Sequence, residues 1–337
     1  MIKPRKPEKA PRKSGKPRAV KRQTIKLNRD AYGVNARASA IADFLELACL
    51  AGVTLSEEDL RDRLRDSGTK LPPEKYVLFA APGDDIGDDD DDDDASTDAY
   101  ADSARRVFEL VKERSRILGA RYPFKISLNK LKLNTTQHGE PYLSLLAMAV
   151  AHAHVLTIPG DPKRLFEETV ARILRSRGWK AANLGKASKA QKGQPFAKAL
   201  KAVSRECDLV LGTGTALVSS AANDEGVDTI AHDSWEDSRV GRWILIGQAT
   251  FEKSDGWHRK VREPSPILYS KLFKEDVAPQ PFLAVPYHVE PKHLEKLVQD
   301  SGKVVLDRLR LARFDPGVSA EERAILMSVR SCAVEYR

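Results

Sequence analysis

Two short apolar runs in the C-terminal half of the chain constrain its fold most strongly. Val227–His232 and Arg242–Ala249 are rich in β-branched and aliphatic residues, and a polar stretch containing Asp237 and Gly241 separates them. Segments of this length and composition predict two antiparallel strands joined as a hairpin. A sheet is therefore expected at the centre of this part of the chain.

The predicted hairpin brings two oxygen-bearing side chains together. Asp228 and Gln248 each lie ten residues from Ser238, so a symmetric hairpin places them opposite or diagonal to one another on adjacent strands. A carboxylate and an amide oxygen, with positions left for water and phosphate, suit a hard cation such as Mg²⁺, and phosphodiester hydrolysis is common at such sites. In the simpler interpretation, Asp228 ends a strand turn and Gln248 is an ordinary strand residue.

A helix is predicted ahead of the hairpin. Asp161 and Pro162 suit its first positions, apolar residues recur at helical spacing from Leu165 to Leu174, and Gly178 ends it. Glu167 lies within this helix.

The helix and hairpin together resemble the Mrr-like branch of the PD-(D/E)XK nuclease superfamily over about a quarter of the chain. The residues that carry the resemblance are, in order, Phe166-Glu167, Gly178-Trp179, Asp224 to Ala231 and Gln248-Ala249. The run from Gly247-Gln248 to Trp257 and Lys260 is also similar to bacterial defence nucleases. This resemblance implies an α+β fold of the restriction-endonuclease type, with a mixed central sheet flanked by helices. It further implies a Mg²⁺- or Mn²⁺-dependent DNA endonuclease in bacterial restriction or anti-phage defence.

The resemblance assigns roles to three oxygen-bearing residues. Asp228 matches the metal-binding aspartate, and Gln248 matches the second ligand, where many relatives have Glu. Glu167 matches the helix carboxylate that faces the metal. We therefore expect these three residues to hold the cation.

One position departs from the family pattern. Thr250 stands where the family has a lysine that orients the attacking water and balances negative charge. Lys253 and Lys260 are nearby replacements, and we favour Lys260 because Trp257 can hold the turn that returns it. If both lysines are merely solvated, the domain binds nucleic acid without cutting it and serves as an inactive DNA-binding or assembly subunit. An RNA-cleaving toxin is a third possibility.

The positive charge is concentrated at the N-terminus. The whole chain carries a net charge of +8, yet residues 1–30 hold twelve Lys and Arg against two acidic residues, and the remainder holds 44 against 46. With four prolines and few apolar residues, 1–30 is expected to be a disordered basic tail that attracts nucleic-acid phosphates. A low-complexity terminus that only aids solubility is an equal alternative.

Apolar residues in 31–157 recur at helical spacing, so we expect an all-helical N-terminal domain there. No set of candidate catalytic residues stands out in this range. The expected role of this domain is contact with the nuclease domain or with a partner such as a helicase or ATPase. The aspartate run inside 82–98 predicts an exposed acidic loop. His152 and His154 fit the end of a helix better than a metal site.

The nuclease domain is expected over 158–337, starting near a Pro-Gly-Asp-Pro turn. Lys180–Gln194 reads as a basic loop, and Asp208–Gly214 lacks the lysine of a phosphate-binding loop. Arg308 is expected to pair with Asp307 inside the domain or, less favourably, to contact DNA.

Composition indicates the cellular setting. Three widely spaced cysteines without a Cys-x-x-Cys pair fit a reducing cytoplasm and exclude a structural zinc. No apolar run is long enough to cross a membrane, so a cytoplasmic protein without membrane attachment is expected.

Overall fold

The computed structural model describes residues 23–72, 96–134, 139–185, 196–212, 226–233, 235, 239, 241–274 and 277–335. Its helices are α1 (Arg37–Leu50), α2 (Glu57–Asp66), α3 (Ser96–Leu118), α4 (Glu140–Ala153), α5 (Pro162–Ser176), α6 (Phe196–Glu206), α7 (Trp257–Lys260), α8 (Pro266–Leu272), α9 (Pro291–Ser301), α10 (Arg308–Ala312) and α11 (Ala320–Arg330). Its strands are β1 (Thr24–Lys26), β2 (Leu55–Ser56), β3 (Phe124–Ser127), β4 (Lys130–Leu133), β5 (Lys180–Asn183), β6 (Thr229–His232), β7 (Ile244–Ala249), β8 (Gln280–Ala284), β9 (Val304–Leu306) and β10 (Ala333–Glu335).

A five-stranded mixed sheet in the order β5-β6-β7-β8-β9 forms the centre of the C-terminal half. The first three strands pair antiparallel and the last three pair parallel. The predicted hairpin is confirmed as β6 and β7. The α+β class expected from the sequence is therefore the one observed, with helices packed on the sheet.

Alternating side chains of the sheet pack against two different helices. Ala231 belongs to the same hydrophobic core as Phe166 of α5, whereas Ile230 belongs to a second core with Leu200 of α6. Successive strand residues point to opposite faces, so this division places α5 and α6 on the two sides of the sheet. The strands that carry Asp228 and Gln248 are thus covered on both faces.

The structure corrects the expectation of an all-helical unit over 31–157. Strands β2, β4 and β3 form a small antiparallel sheet within this range. The sequence allows a short strand in the connector Lys125–Leu133, but the alternation there is too brief to outweigh the surrounding helical pattern.

The expected disordered tail over 1–30 is corrected at its end. Thr24–Lys26 forms β1, which pairs in parallel with β10 near the C-terminus, and Ile25 is fully buried. Residues 1–22 lie outside the described residues, as does the predicted acidic loop up to residue 95. A pairing between the two ends of the chain leaves no local sequence signal.

A continuous hydrophobic core crosses the boundary expected between residues 157 and 158. It contains residues of α1, α3 and α4 together with residues of α5, α10 and α11. Helix α4 packs against α5, α10 and α11. The N-terminal half therefore supports the sheet region directly. Among the described residues, no helix is both long enough and apolar enough to cross a bilayer.

A buried ion network joins the two halves of the chain. Arg114 donates to Asp43 Oδ1 at 2.7 Å and to Glu46 Oε1 at 2.8 Å, while Arg308 donates to the other oxygen of Asp43. The Tyr122 hydroxyl also donates to Glu46, at 2.6 Å. Each of these side chains is essentially inaccessible to water. Arg308 is therefore an internal residue, as expected, but its carboxylate partner is Asp43.

The electrostatics of this network explain why Asp43 is charged. Burial raises the pKa of Asp43, but the nearby charges of Arg308 and Arg114 outweigh that effect and hold the pKa below its usual range. Its contribution to stability is therefore complete above its unfolded pKa of about 3.9 and is lost as the pH falls toward the lower folded pKa. Asp307 instead caps α10 by accepting from the Arg310 N–H at 3.0 Å.

Replacing Arg308 tests this junction. Arg308→Met removes one partner of a fully buried pair and leaves Asp43 with less compensation, so the free energy of unfolding should fall by roughly 3–5 kcal/mol. The control is Arg323→Met, since Arg323 pairs with Glu140 on the surface and both side chains are 56% exposed. Urea denaturation at pH 7 should show a control loss below about 1 kcal/mol. Equal losses for the two variants would contradict the account.

Candidate metal centre

The register of β6 against β7 sets the geometry of the site. Thr229 pairs with Gly247 where the pairing of β6 with β7 ends, so Asp228 and Gln248 are the next residues along the two strands. The Asp228 N–H donates to the Gly247 carbonyl at 2.8 Å, which ties Asp228 to the backbone of β7. The two residues therefore lie close together at one end of the sheet, as the sequence predicts.

Asp228 is held by backbone groups on both sides. The Ala249 N–H of β7 donates to Asp228 Oδ2 at 2.9 Å, and the Leu184 N–H donates to the Asp228 carbonyl at 2.7 Å. The residue is 8% exposed. With Oδ2 directed to β7, the other carboxylate oxygen is presented to the segment that follows β5.

Glu167 reaches the same region from α5. Asp161 caps this helix by accepting from the Lys163 N–H at 3.0 Å, as its sequence predicts. Phe166 anchors the helix to the end of β7 through an edge-on contact with Phe251, with ring centroids 5.3 Å apart. Glu167, the next residue, is 6% exposed.

Gly185 marks the point where these oxygens meet. A Cβ added to Gly185 would lie 2.9 Å from Glu167 Oε2 and 3.4 Å from Asp228 Oδ1. The structure thus brings together the two carboxylates that the sequence assigns to the site. Two carboxylates so close together repel one another when charged, and a cation between them relieves this repulsion.

Gln248 presents a buried oxygen with no donor. Its Oε1 atom is inaccessible to water and accepts no hydrogen bond from any described residue. The residue as a whole is 8% exposed. A buried amide oxygen without a partner is costly, so its presence calls for an explanation. A bound hard cation is one explanation, because hard cations prefer oxygen ligands. The donor set fits Mg²⁺ or Mn²⁺.

The remaining metal-ligand types do not form a separate cluster. Within the described ranges, no group of three or more His, Cys, Asp or Glu side chains is arranged to hold a metal ion. Beside Gly185, two acidic side chains come together, those of Glu167 and Asp228. His152 instead packs against Phe251 with the rings tilted and their centroids 4.7 Å apart, and burial together with the charge of Lys163 lowers the pKa of His152.

Position 250 provides no positive charge. The Thr250 hydroxyl accepts from the Glu252 N–H at 3.1 Å, and its own N–H donates to the Ala284 carbonyl at 3.0 Å. Thr250 therefore secures the turn after β7. The residue is 8% exposed, so a lysine at this position would be largely buried.

Lys260 lies in a segment that contacts the chain just before Asp228. Its ammonium donates to Glu263 at 2.9 Å, and a Cβ on Gly226 would lie 2.8 Å from the Cβ of Glu263. Trp257 is fully buried and donates to the Glu252 carbonyl at 2.8 Å, so it holds this turn as the sequence suggests. The assignment of Lys260 as the catalytic lysine stays a prediction.

Asn183 is a neighbour of the site that sequence reasoning missed. It ends β5, pairs with Thr229, and places Oδ1 3.4 Å from the same point beside Gly185. The basic residues of 180–194 suggested a loop, whereas Lys180–Asn183 is a strand. Its four residues are too few to give a clear periodicity.

No protein-family model matches this chain, and no significant match to it is found among curated proteins or solved structures.

The unpartnered oxygen of Gln248 leads to a stability prediction. Gln248→Met keeps the length of the side chain and removes the orphaned carbonyl, so without divalent cations the free energy of unfolding should stay the same or rise by up to about 1 kcal/mol. Gln23→Met is the control, because both ends of the Gln23 amide are hydrogen-bonded. The amide NH₂ donates to the Thr157 carbonyl and the amide oxygen accepts from the Thr157 N–H, each at 2.8 Å. Urea denaturation in the presence of a chelator should show a lower free energy of unfolding only for the Gln23→Met control. A clear loss in Gln248→Met would mean that its oxygen already has a partner.

Proposed function

We propose that this chain is a metal-dependent endonuclease that hydrolyses DNA phosphodiester bonds. The family it resembles, the Mrr-like branch of the PD-(D/E)XK nucleases, suggests a role in bacterial restriction or anti-phage defence. The observation that carries the proposal is that Glu167 Oε2 and Asp228 Oδ1 meet beside Gly185. On the adjacent strand, the buried Oε1 of Gln248 accepts no hydrogen bond from any described residue.

In this proposal, three side chains hold one Mg²⁺ or Mn²⁺. Asp228 and Glu167 supply negative charge, and Gln248 supplies a neutral oxygen. When bound, such a cation acts as a Lewis acid on the phosphate and makes a hydroxide nucleophile available near neutral pH. The carboxylates are shielded from water, which strengthens their interaction with a cation and fixes their orientation.

The support for DNA comes from charge. Residues 1–30 carry twelve basic against two acidic residues, and such a segment attracts a polyanion by releasing its counterions. A phosphodiester backbone is the polyanion that the proposed chemistry requires.

A lysine is proposed to complete the site. The Lys260 ammonium would have to leave Glu263 to balance negative charge on the phosphate. The short α7 turn and the buried Trp257 hold the backbone of this segment.

An inactive nuclease-like subunit is the second candidate function, and Thr250 favours it. In this case the site holds a cation and positions DNA without cleavage. The protein would then act as a DNA-binding or assembly subunit beside a partner such as a helicase or ATPase.

Cleavage of supercoiled plasmid DNA tests the first candidate. Asp228→Asn keeps an acceptor for the Ala249 N–H but removes the charge that a cation needs, so Mg²⁺- or Mn²⁺-dependent cleavage should fall on the order of 100-fold or more. Asp208→Ala is the control, since Asp208 pairs with Lys180 on the surface. Unchanged cleavage by Asp228→Asn would remove this residue from the mechanism, and no cleavage by the unaltered protein would favour the inactive subunit.

The lysine assignment has its own test. Lys260→Ala should slow plasmid cleavage by roughly 100-fold while Lys253→Ala retains the original rate, because loss of one group that stabilises transition-state charge costs about this much. Single-turnover rates at saturating Mg²⁺ provide the comparison. The opposite pattern would transfer the role to Lys253, and two unaffected rates would show that neither lysine takes part.

A further inference from the structure

Asn183 lies in the same small space as the two carboxylates. Its Oδ1 is 3.4 Å from the point that a Cβ on Gly185 would occupy, the same distance as Asp228 Oδ1. Its backbone is fixed by pairing with Thr229, the residue after Asp228. Three oxygens, one from α5, one from β5 and one from the residue just before β6, therefore lie around one point.

We propose that Asn183 is a fourth oxygen donor to the cation of this site, and that Gly185 is a glycine because a side chain would fill the space between the donors. This inference rests on the proposed cation site. It assigns a binding role to a strand that has no part in the resemblance on which the roles of the other three residues rest.

The chemical type of Asn183 suits an anionic substrate. Two carboxylates already balance the charge of a divalent cation, and a third would leave the loaded site negative. An amide oxygen adds a ligand without adding charge, so a phosphodiester is not repelled. Four protein oxygens also leave two positions of an octahedral ion for water and a phosphate oxygen.

Gly185 keeps this space open. Its backbone is held close to Asp228 by the hydrogen bond from the Leu184 N–H to the Asp228 carbonyl. The methyl group of an alanine would press on Glu167 Oε2 at 2.9 Å, which is closer than ordinary van der Waals contact. The carboxylate would have to turn away from the site.

The test measures Mn²⁺ binding to the full chain by isothermal titration calorimetry, with no DNA present. Asn183→Ala removes the oxygen and should weaken Mn²⁺ binding by about tenfold, and Gly185→Ala should weaken it as well. Asn183→Asp keeps an oxygen at the same place and adds a charge, so it should bind Mn²⁺ at least as tightly as the unaltered protein. The same variant should melt at a lower temperature in the presence of a chelator, because the added carboxylate is then repelled by those of Glu167 and Asp228.

Matched controls are Asn134→Ala and Asn134→Asp. Asn134 is also half-buried at the end of a strand, but it follows β4 in the small three-stranded sheet. Both control variants should bind Mn²⁺ like the unaltered protein.

The aspartate variant separates a ligand from a structural residue. An Asn side chain offers either its oxygen or its NH₂ group to a neighbour, whereas Asp offers oxygen alone. If Asn183 acts through its NH₂ group, Asn183→Asp will weaken Mn²⁺ binding as Asn183→Ala does, and the inference is overturned. Unchanged Mn²⁺ affinity in Asn183→Ala would also overturn it.

Failure of this inference can be told apart from failure of the proposed function. Mn²⁺ binding that depends on Asn183 in a protein that cuts no DNA would support the inference and contradict the nuclease. Normal DNA cleavage, together with Mn²⁺ binding that does not depend on Asn183, would contradict the inference and support the nuclease.

Discussion

The pairing of β6 with β7 is the constraint on which the site depends. Thr229 lies opposite Gly247, which sets Asp228 and Gln248 close together at the end of the pairing, and a shift of one residue would turn the side chains of β6 to the other face of the sheet. The buried alternation of Ile230 and Ala231 with their partners makes such a shift costly. The hydrogen bond from the Ala249 N–H then orients the Asp228 carboxylate. Packing of the sheet thus determines where the oxygens of the site lie.

The N-terminal half contributes rigidity to that arrangement. Asp43 and Arg308 form a buried ion pair between α1 and α10, and α4 packs behind α5, the helix that carries Glu167. A carboxylate can remain poorly exposed near a second one only if its helix is held in place, because repulsion would otherwise separate them. The two halves of the chain therefore support one candidate site, which explains why the described hydrophobic core continues across residue 157.

Local patterns predicted the parts of the structure that local interactions determine. Alternation and turn chemistry indicated the β6–β7 hairpin, and the cap at Asp161 with the following apolar spacing indicated α5. Features formed by distant residues left no such signal: β1 pairs with β10, and Arg308 pairs with Asp43. Asn183 was missed for a related reason, since the four residues of β5 become a strand only through pairing with β6. Spacing along the hairpin placed Asp228 beside Gln248, whereas the resemblance added Glu167, whose proximity to Asp228 does not follow from spacing.

The central claim is that Glu167, Asp228 and Gln248 hold one divalent cation. Crystals soaked in Mn²⁺ and measured at the manganese absorption edge test it most directly, because anomalous scattering locates the ion without reference to activity. The account predicts one strong anomalous peak beside Gly185, within ligand distance of Glu167 Oε2 and Asp228 Oδ1. Saturating Mn²⁺ with no peak there, or a peak bound by other residues, would contradict it.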